Sequence, residues 1–119
     1  MIALLVEDEP LVAMIGLSIL KDMGYAVFEA RTRDEALSVL SHEAGITLLF
    51  TDVQLADGSS GAALAHDVAK DRPDIRIVVT SGRKRPAVLP DGTAFLPKPY
   101  TDSQLVSVVD DRCRPPSTS

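Results

Sequence analysis

Residues 48–53 read LLFTDV, a mostly apolar run that contains one carboxylate, that of Asp52. An apolar run of this length without alternating polar residues is typical of a strand that is covered on both faces. The start of the chain repeats the pattern, because the apolar residues 2–6 are followed at once by Glu7 and Asp8. Since open parallel sheets bind ligands beyond the carboxyl ends of their strands, these acidic residues are candidates for one shared site.

Outward from these two runs, short apolar strands alternate with segments of helical period. Strands are predicted over residues 2–6, 25–29, 46–51, 75–80 and 93–96. This alternation implies an α/β fold with a parallel sheet and right-handed crossovers.

The segments between the strands carry helix signals. The first helix has an apolar stripe of Leu11, Ile15 and Ile19, the kind of stripe that faces a core, and Val12, Leu20 and Met23 widen it. Later helices are predicted to begin at capping boxes that start with Thr32 and Thr101, where a hydroxyl precedes a Glu or Gln by three positions.

The connection between the fourth and fifth strands is unusual. Residues 82–93 are few and include Pro86 and Pro90, which helix interiors do not tolerate. A helix of about one turn at most is therefore predicted, over residues 86–89. The basic run Arg83-Lys84-Arg85 precedes it, and we expect this run to be exposed. A solvated basic run is the simpler interpretation, and docking of an acidic partner is the sharper hypothesis.

Composition limits the function further. The chain has 119 residues, 45% of them apolar, and a formal net charge of −5, which fits one globular domain and disfavours nucleic acid or an anionic membrane as partner. The single cysteine, Cys113, excludes an internal disulfide and a cysteine-built metal site. The N-terminus has neither a basic leader nor a long apolar stretch, so a cytoplasmic setting is expected.

Polar residues also follow the last two strands. Thr80 and Ser81 stand at the end of the fourth strand, and Lys98 follows the fifth, between two prolines. Each is a weak signal alone, because such residues are common in solvated loops. Together with the acidic residues they form a set that suits phosphate or metal chemistry.

This set resembles the receiver domain of bacterial response regulators, through Glu7-Asp8, LLFTDV at 48–53, Ser81-Gly82 and Lys98-Pro99-Tyr100. The resemblance extends over residues 1 to about 113 and implies a flavodoxin-like (βα)5 fold with strand order 2-1-3-4-5. This chain departs from the family pattern at Pro86 and Pro90, which predict a shortened or degraded fourth helix. The receiver domain is assigned to residues 1–114, as a stand-alone single-domain type, and residues 115–119 to a disordered tail.

The resemblance implies Mg²⁺-dependent phosphorylation of Asp52 by a histidine kinase or a histidine phosphotransfer protein. Two carboxylates ~4 Å apart repel by about 4 kcal/mol at an effective dielectric of roughly 20, unless a cation enters. Mg²⁺ is a hard cation that prefers oxygen ligands. By resemblance, Asp8 and Asp52 bind the metal directly, Glu7 acts through water, and the backbone carbonyl of Gln54 adds a ligand.

The resemblance also assigns residues around the phosphoryl group. Lys98 supplies positive charge, and the hydroxyl of Ser81 donates to a phosphoryl oxygen, with Thr80 as the alternate. Phe95 stands where the family carries its switch aromatic, although it is also suited to a purely structural place in the core. A cis peptide is expected before Pro99, since cis X-Pro bonds cost only roughly 0.5–1 kcal/mol.

The leading interpretation is a phosphoacceptor in a two-component phosphorelay, not an enzyme, whose output is contact with a downstream protein target. It is expected to be a monomer or a weak homodimer. One alternative is a phosphorylation-independent binding module of the same fold. A second is a Mg²⁺-dependent aspartyl phosphatase, which is disfavoured because such sites need a second acid at position 54, where this chain has Gln.

Overall fold

A computed structural model describes residues 1–110 as a five-stranded sheet with helices on both faces. The elements in chain order are β1 (Ile2–Val6), α1 (Pro10–Asp22), β2 (Ala26–Ala30), α2 (Arg33–His42), β3 (Ile46–Asp52), α3 (Gly61–Asp71), β4 (Arg76–Ser81), β5 (Ala94–Pro97) and α4 (Asp102–Asp110). Every strand pairing is parallel, and the order is β2-β1-β3-β4-β5. This confirms the flavodoxin-like fold. Cys113, the boundary at residue 114 and the tail 115–119 lie outside the described residues.

The central strands separate two hydrophobic cores. Because successive side chains of a strand point to opposite faces, Leu4 and Leu49 pack under α2 and α3, whereas Leu5 and Phe50 pack under α1 and α4. All four are 0–3% exposed. Burying each such side chain contributes about 1.5–3 kcal/mol, so β1 and β3 are held from both sides. The residues that follow these two strands therefore start from a rigid base.

The two helix starts predicted from capping boxes agree with the structure. The side chain of Thr32 accepts a hydrogen bond from the N–H of Glu35, which caps α2. The box before α4 is reciprocal, because Gln104 N–H donates to the Thr101 hydroxyl while Thr101 N–H donates to the Gln104 side chain. Helix α1 ends at Asp22, and the chain turns away at Gly24, whose φ of 97° is left-handed and favours glycine.

The predicted apolar stripe of α1 is wrong for two of its three residues. Leu11 is 75% exposed and Ile15 is 52% exposed, while Ile19 is buried. The buried face is made instead of small residues and two larger ones: Ala13, Gly16, Ile19 and Leu20. The small residues win because they allow close approach to the sheet; a Cβ on Gly16 would already lie 3.5 Å from Phe50. The spacing therefore indicated an amphipathic helix and placed Ile19 and Leu20 correctly, but it also assigned the exposed Leu11 and Ile15 to the buried face.

The connection between β4 and β5 contains no helix, not even the single turn that was the upper limit predicted for residues 86–89. The broader prediction of a degraded fourth helix is confirmed. Pro86 and Pro90 lack N–H donors and leave too few residues between them to close helical hydrogen bonds. The end of the connection is held from β4, because the Arg76 guanidinium donates to the carbonyl of Gly92 at 2.8 Å. The basic run Arg83-Lys84-Arg85 is exposed, as expected.

Within residues 1–110, no helix has both the length and the apolar character that a membrane span needs.

Candidate functional site

Three carboxylates meet at the carboxyl edge of the sheet. Glu7 and Asp8 follow β1, and Asp52 is the last residue of β3. The two strands are hydrogen-bonded neighbours with Val6 opposite Thr51, so the residues that follow them are placed side by side. One carboxylate oxygen from each of the three acids lies within 4.8 Å of the others. The structure thus brings together the acidic residues that the sequence predicted.

Lys98 closes the cluster from the opposite side. Its ammonium nitrogen Nζ lies 2.8 Å from Glu7 Oε1 and 2.8 Å from Asp52 Oδ2. The side chains of Glu7, Asp52 and Lys98 are only 4%, 7% and 15% exposed, so water screens these charges weakly. The backbone N–H of Lys98 donates to the carbonyl of Ser81, and the Lys98–Pro99 bond is cis, as expected.

Burial and charge shift two pKa values in this cluster. Burial, and then the negative charge of Asp52, raise the pKa of Glu7 against the opposing hydrogen bond from Lys98. Burial also acts to lower the pKa of Lys98, but its hydrogen bonds and charge interactions with Asp52 and Glu7 together outweigh burial and raise it. Lys98 is therefore a fixed positive charge at neutral pH.

The donor set fits a hard divalent cation. With all three acids ionised, three carboxylates face one ammonium, which leaves a formal excess of two negative charges. Carboxylate oxygens that converge within a few ångströms are ligands of the type Mg²⁺ prefers. Glu7, Asp8 and Asp52 therefore fit the metal that the resemblance implied. The carbonyl of Gln54 as a further ligand stays a prediction.

The two neighbouring hydroxyls of β4 have different partners. Thr80 Oγ1 donates to the buried carbonyl of Leu96 at 2.6 Å, which commits its only proton. Ser81 Oγ donates to the side chain of Gln54 at 3.2 Å and accepts from the N–H of Arg83 at 3.0 Å. Since adjacent strand residues point to opposite sides, only one of them can face the acids. Its contact with Gln54, two residues after Asp52, favours Ser81.

The position of Phe95 is compatible with a switch residue and with a structural residue of the core. It is partly buried and packs against the core on the side of α2 and α3. A structural aromatic residue would lie there too, so its role as a switch residue stays a prediction.

Two residues near the site received no role from the sequence. Tyr100 packs its ring edge against Phe50, with centroids 5.7 Å apart, and burial raises its pKa to about 12. Gly61 begins α3 directly against Asp52. Tyr100 was visible within the Lys98-Pro99-Tyr100 motif. Nothing local distinguishes Gly61 from other loop glycines, because its contact is with another segment.

A groove of about 450 Å³ lies beside the cluster. It is lined by Val12, Ile15, Gly82, Lys98, Pro99 and Tyr100. The exposed Leu11 and Met14 lie on the same helix as two of these residues and extend the apolar surface. An apolar surface therefore borders the acidic crevice.

The parallel sheet with three carboxylates and a lysine at its edge defines a flavodoxin-like α/β domain with an acidic crevice. The family model of the response regulator receiver domain matches residues 3–110. The chain belongs to this family, as the resemblance indicated.

Relatives and solved structures agree with this assignment. The chain is 35% identical over 116 residues to the sensor kinase CckA of Brucella abortus, covering 91% of this chain and 12% of the kinase. It is 34% identical over 109 residues to the phyllosphere-induced regulator PhyR of Methylorubrum extorquens, covering 89% of this chain and 41% of the regulator. The PhyR receiver domain of Erythrobacter litoralis superposes with a TM-score of 0.82 at 27% identity, covering 93% of this chain and 88% of that one. The chain thus spans less than half the length of these two curated relatives.

Proposed function

We propose that the protein is a phosphoacceptor of a two-component phosphorelay, in which Asp52 receives a phosphoryl group with the help of Mg²⁺. One observation carries the proposal: the Asp52 carboxylate belongs to a three-acid cluster and is also 2.8 Å from the ammonium of Lys98. An aspartate between a cation site and a fixed ammonium is suited to phosphoryl transfer, which depends mainly on positioning and charge neutralisation.

Each residue has a distinct task in this proposal. Asp8 and Asp52 would hold Mg²⁺ directly and Glu7 would hold it through water, and the metal would supply positive charge that screens the incoming phosphoryl oxygens. Lys98 exchanges its contact with Asp52 Oδ2 for one with the phosphoryl group. Ser81 turns its hydroxyl from Gln54 to a phosphoryl oxygen, and the start of the β4–β5 connection moves with it, since Arg83 N–H is bonded to that hydroxyl.

A protein phosphodonor suits the surroundings of the crevice better than a small molecule alone. Leu11, Met14 and Ile15 are more than half exposed on one face of α1, and the 450 Å³ groove continues that apolar surface towards Lys98. Apolar area of this kind marks a contact with another protein. The similarity to a receiver domain from the hybrid histidine kinase CckA supports a histidine kinase or phosphotransfer protein as the donor. A cytoplasmic location is part of this proposal.

The downstream target is proposed to contact the basic run Arg83-Lys84-Arg85. This run is exposed and makes no ion pair with another part of residues 1–110. An acidic protein surface complements it, and the hydrogen bond from Arg83 to Ser81 links it to the phosphoacceptor site. In a chain of net charge −5, three cations are too few for nucleic acid to be the preferred partner.

The two alternative functions predict different results in a phosphorylation experiment. An aspartyl phosphatase would turn over an external phosphoester, and a phosphorylation-independent module would not accept a phosphoryl group at all. The intact cluster of Glu7, Asp8, Asp52 and Lys98 argues against the second, because a pure binding module has no use for this costly concentration of charge.

The test uses acetyl phosphate and MgCl₂ with the full chain, followed by intact-mass measurement. A new bond forms between an Asp52 carboxylate oxygen and phosphorus while the bond from phosphorus to acetate breaks, so the protein gains one phosphoryl group. The Asp52→Asn variant should gain none, and an Asp57→Asn variant should be labelled like the wild type. Equal labelling of Asp52→Asn, or steady release of phosphate without a labelled protein, would overturn the proposal.

A further inference from the structure

The segment after Asp52 is clamped by the residues that lead into α3. Gly61 N–H donates to the carbonyl of Val53 at 2.8 Å, and Leu55 N–H donates to the carbonyl of Ser59 at 3.2 Å. Between these two bonds Gln54 lies opposite Ser60 in an isolated antiparallel bridge. A short antiparallel ladder therefore follows the phosphoacceptor strand.

This ladder determines which way the main chain of Gln54 points. In an antiparallel pair the bonded groups belong to alternate residues, so Val53 and Leu55 face Ser60 and its neighbours while the N–H and carbonyl of Gln54 face away. The N–H of Gln54 indeed points to Asp52 Oδ1, at 3.3 Å. The two main-chain groups of an extended residue point to the same side, so the Gln54 carbonyl is also aimed at the side of the acidic crevice.

Gly61 allows the ladder to lie close enough to do this. A Cβ at Gly61 would lie 1.7 Å from the carbonyl oxygen of Asp52, 2.8 Å from its carbonyl carbon and 2.8 Å from Thr51 Oγ1. Contacts below 3.0 Å require something to shift, and here two of the three atoms belong to the main chain of Asp52 itself. Backbone conformation does not demand glycine at this position, since its φ is not positive. Glycine is needed here because any side chain would collide with the main chain of Asp52.

The main chain of Asp52 cannot easily move away from an added side chain, because further hydrogen bonds hold it in place. Thr51 Oγ1 donates to the same Asp52 carbonyl at 2.9 Å, and Val53 N–H donates to the carbonyl of Thr80 at 3.0 Å. An added methyl group must therefore displace the phosphoacceptor or push the start of α3, with its bond to Val53, away from it.

We infer that Gly61 is a positioning residue of the metal and phosphoacceptor site. Its missing side chain lets the first turn of α3 rest on the main chain of Asp52, which holds the Asp52 carboxylate and the Gln54 carbonyl in register with Glu7 and Asp8. The inference deepens the proposed function, on which its phosphorylation readout rests; its metal and backbone readouts do not depend on phosphorylation.

The test compares Gly61→Ala with two controls. Gly45→Ala is the matched substitution, because a Cβ there meets only side-chain ends, that of Ile2 at 3.1 Å and the Glu43 carboxylate at 3.7 Å. Val68→Ala removes buried volume on α3 and controls for loss of stability. We expect Gly61→Ala to weaken Mg²⁺ binding in a MgCl₂ titration and to slow labelling by acetyl phosphate, each by about tenfold or more. Both controls should stay within about twofold of the wild type.

A metal-free readout separates positioning from general destabilisation. In NMR spectra without Mg²⁺, Gly61→Ala should shift the amide signals of Asp52 and Gln54, whereas Val68→Ala should not. A folded Gly61→Ala protein with wild-type Mg²⁺ affinity and unshifted Asp52 and Gln54 amides would overturn the inference. If the wild type binds Mg²⁺ but is never labelled, the proposed function fails while the inference on Gly61 is still decided by the titration.

A measurement on the wild type decides the case in which Gly61→Ala does not fold. If the ladder positions the metal ligands, Mg²⁺ must stabilise the ladder in return. Hydrogen exchange of the Gly61 and Leu55 amides should slow on addition of MgCl₂ more than that of the Val68 amide in the same helix. Equal slowing of all three would overturn the inference.

Discussion

The segments that follow β3 and β4 leave neighbouring strands at the same edge of the sheet, yet they are built in opposite ways. The segment after β3, residues 53–60, is tied by main-chain hydrogen bonds to itself, to β4 and to the start of α3. The segment after β4, residues 82–93, has one main-chain bond within it, from Thr93 to Pro90. The first holds Asp52, and the second carries the basic run.

The difference indicates a division of labour. Residues that bind a metal need fixed positions before the ligand arrives, because ordering them afterwards would subtract from the binding free energy. A segment that responds to phosphorylation needs the reverse, since few hydrogen bonds and exposed side chains make its rearrangement inexpensive. Lys98 and Ser81 stand where the two regions meet.

The largest expected effect comes from removing the charge that holds the site together. Lys98→Met leaves the buried carboxylates of Glu7 and Asp52 without their ammonium, and we expect a loss of about 3 kcal/mol in the free energy of unfolding at neutral pH. Labelling by acetyl phosphate should slow by roughly a hundredfold. Urea denaturation and intact-mass kinetics measure the two effects, with the exposed Lys70→Met as control. A Lys98→Met protein as stable as this control would show that the ion pairs are not coupled to the fold.

A matched pair of glycine substitutions compares the two segments directly. Gly58, in the segment after β3, has a φ of 80°, so Gly58→Ala should cost about 1–2 kcal/mol of stability. Gly82, after β4, has no positive φ, and a Cβ there meets nothing within 4 Å. Gly82→Ala should therefore be neutral or stabilise by up to about 1 kcal/mol. Urea denaturation checks both, and equal effects would contradict the importance given to the positive φ of Gly58 and the open space around Gly82.

The pH dependence of the free energy of unfolding tests the ionisation of Glu7 with a nearly isosteric substitution. Because burial raises the pKa of Glu7 above its usual 4.5, the folded state holds this proton more tightly than the unfolded state does. The stabilising contribution is fully present below 4.5 and is lost as the pH rises through the folded-state pKa. Metal-free wild type should therefore lose stability relative to Glu7→Gln from about pH 4 towards neutral pH. Saturating Mg²⁺ should reverse the trend, since the metal favours the ionised carboxylate.

The smallest effect is expected in the open segment. Replacing Arg83, Lys84 and Arg85 together by Gln should change the free energy of unfolding by no more than about 0.5 kcal/mol, because all three are exposed. The same variant should lose salt-dependent binding to an acidic downstream protein if the basic run is the docking site. A large loss of stability in urea denaturation would instead give the run a structural role.

The acidic cluster was predictable because its signals are local, whereas the strand order was predicted from the resemblance to the receiver family. Unbroken apolar runs predicted buried strands, and the polar residues just after them converge at one edge in any parallel sheet. The choice between Thr80 and Ser81 was less certain, because it depends on the exact pleat of β4. The hydrogen bond from Thr80 to Leu96 favours Ser81, and that bond exists only once β5 is in place.

By itself the sequence determined the family, the order of the elements and the identity of the charged residues at the sheet edge, since apolar periodicity, capping residues and motif order are all properties of neighbouring positions. Tertiary structure alone decided that Leu11 and Ile15 of α1 face solvent and that Gly61 rests on the carbonyl of Asp52. Each of these depends on how closely two segments distant in sequence approach each other, and close packing sets that distance for the folded chain as a whole.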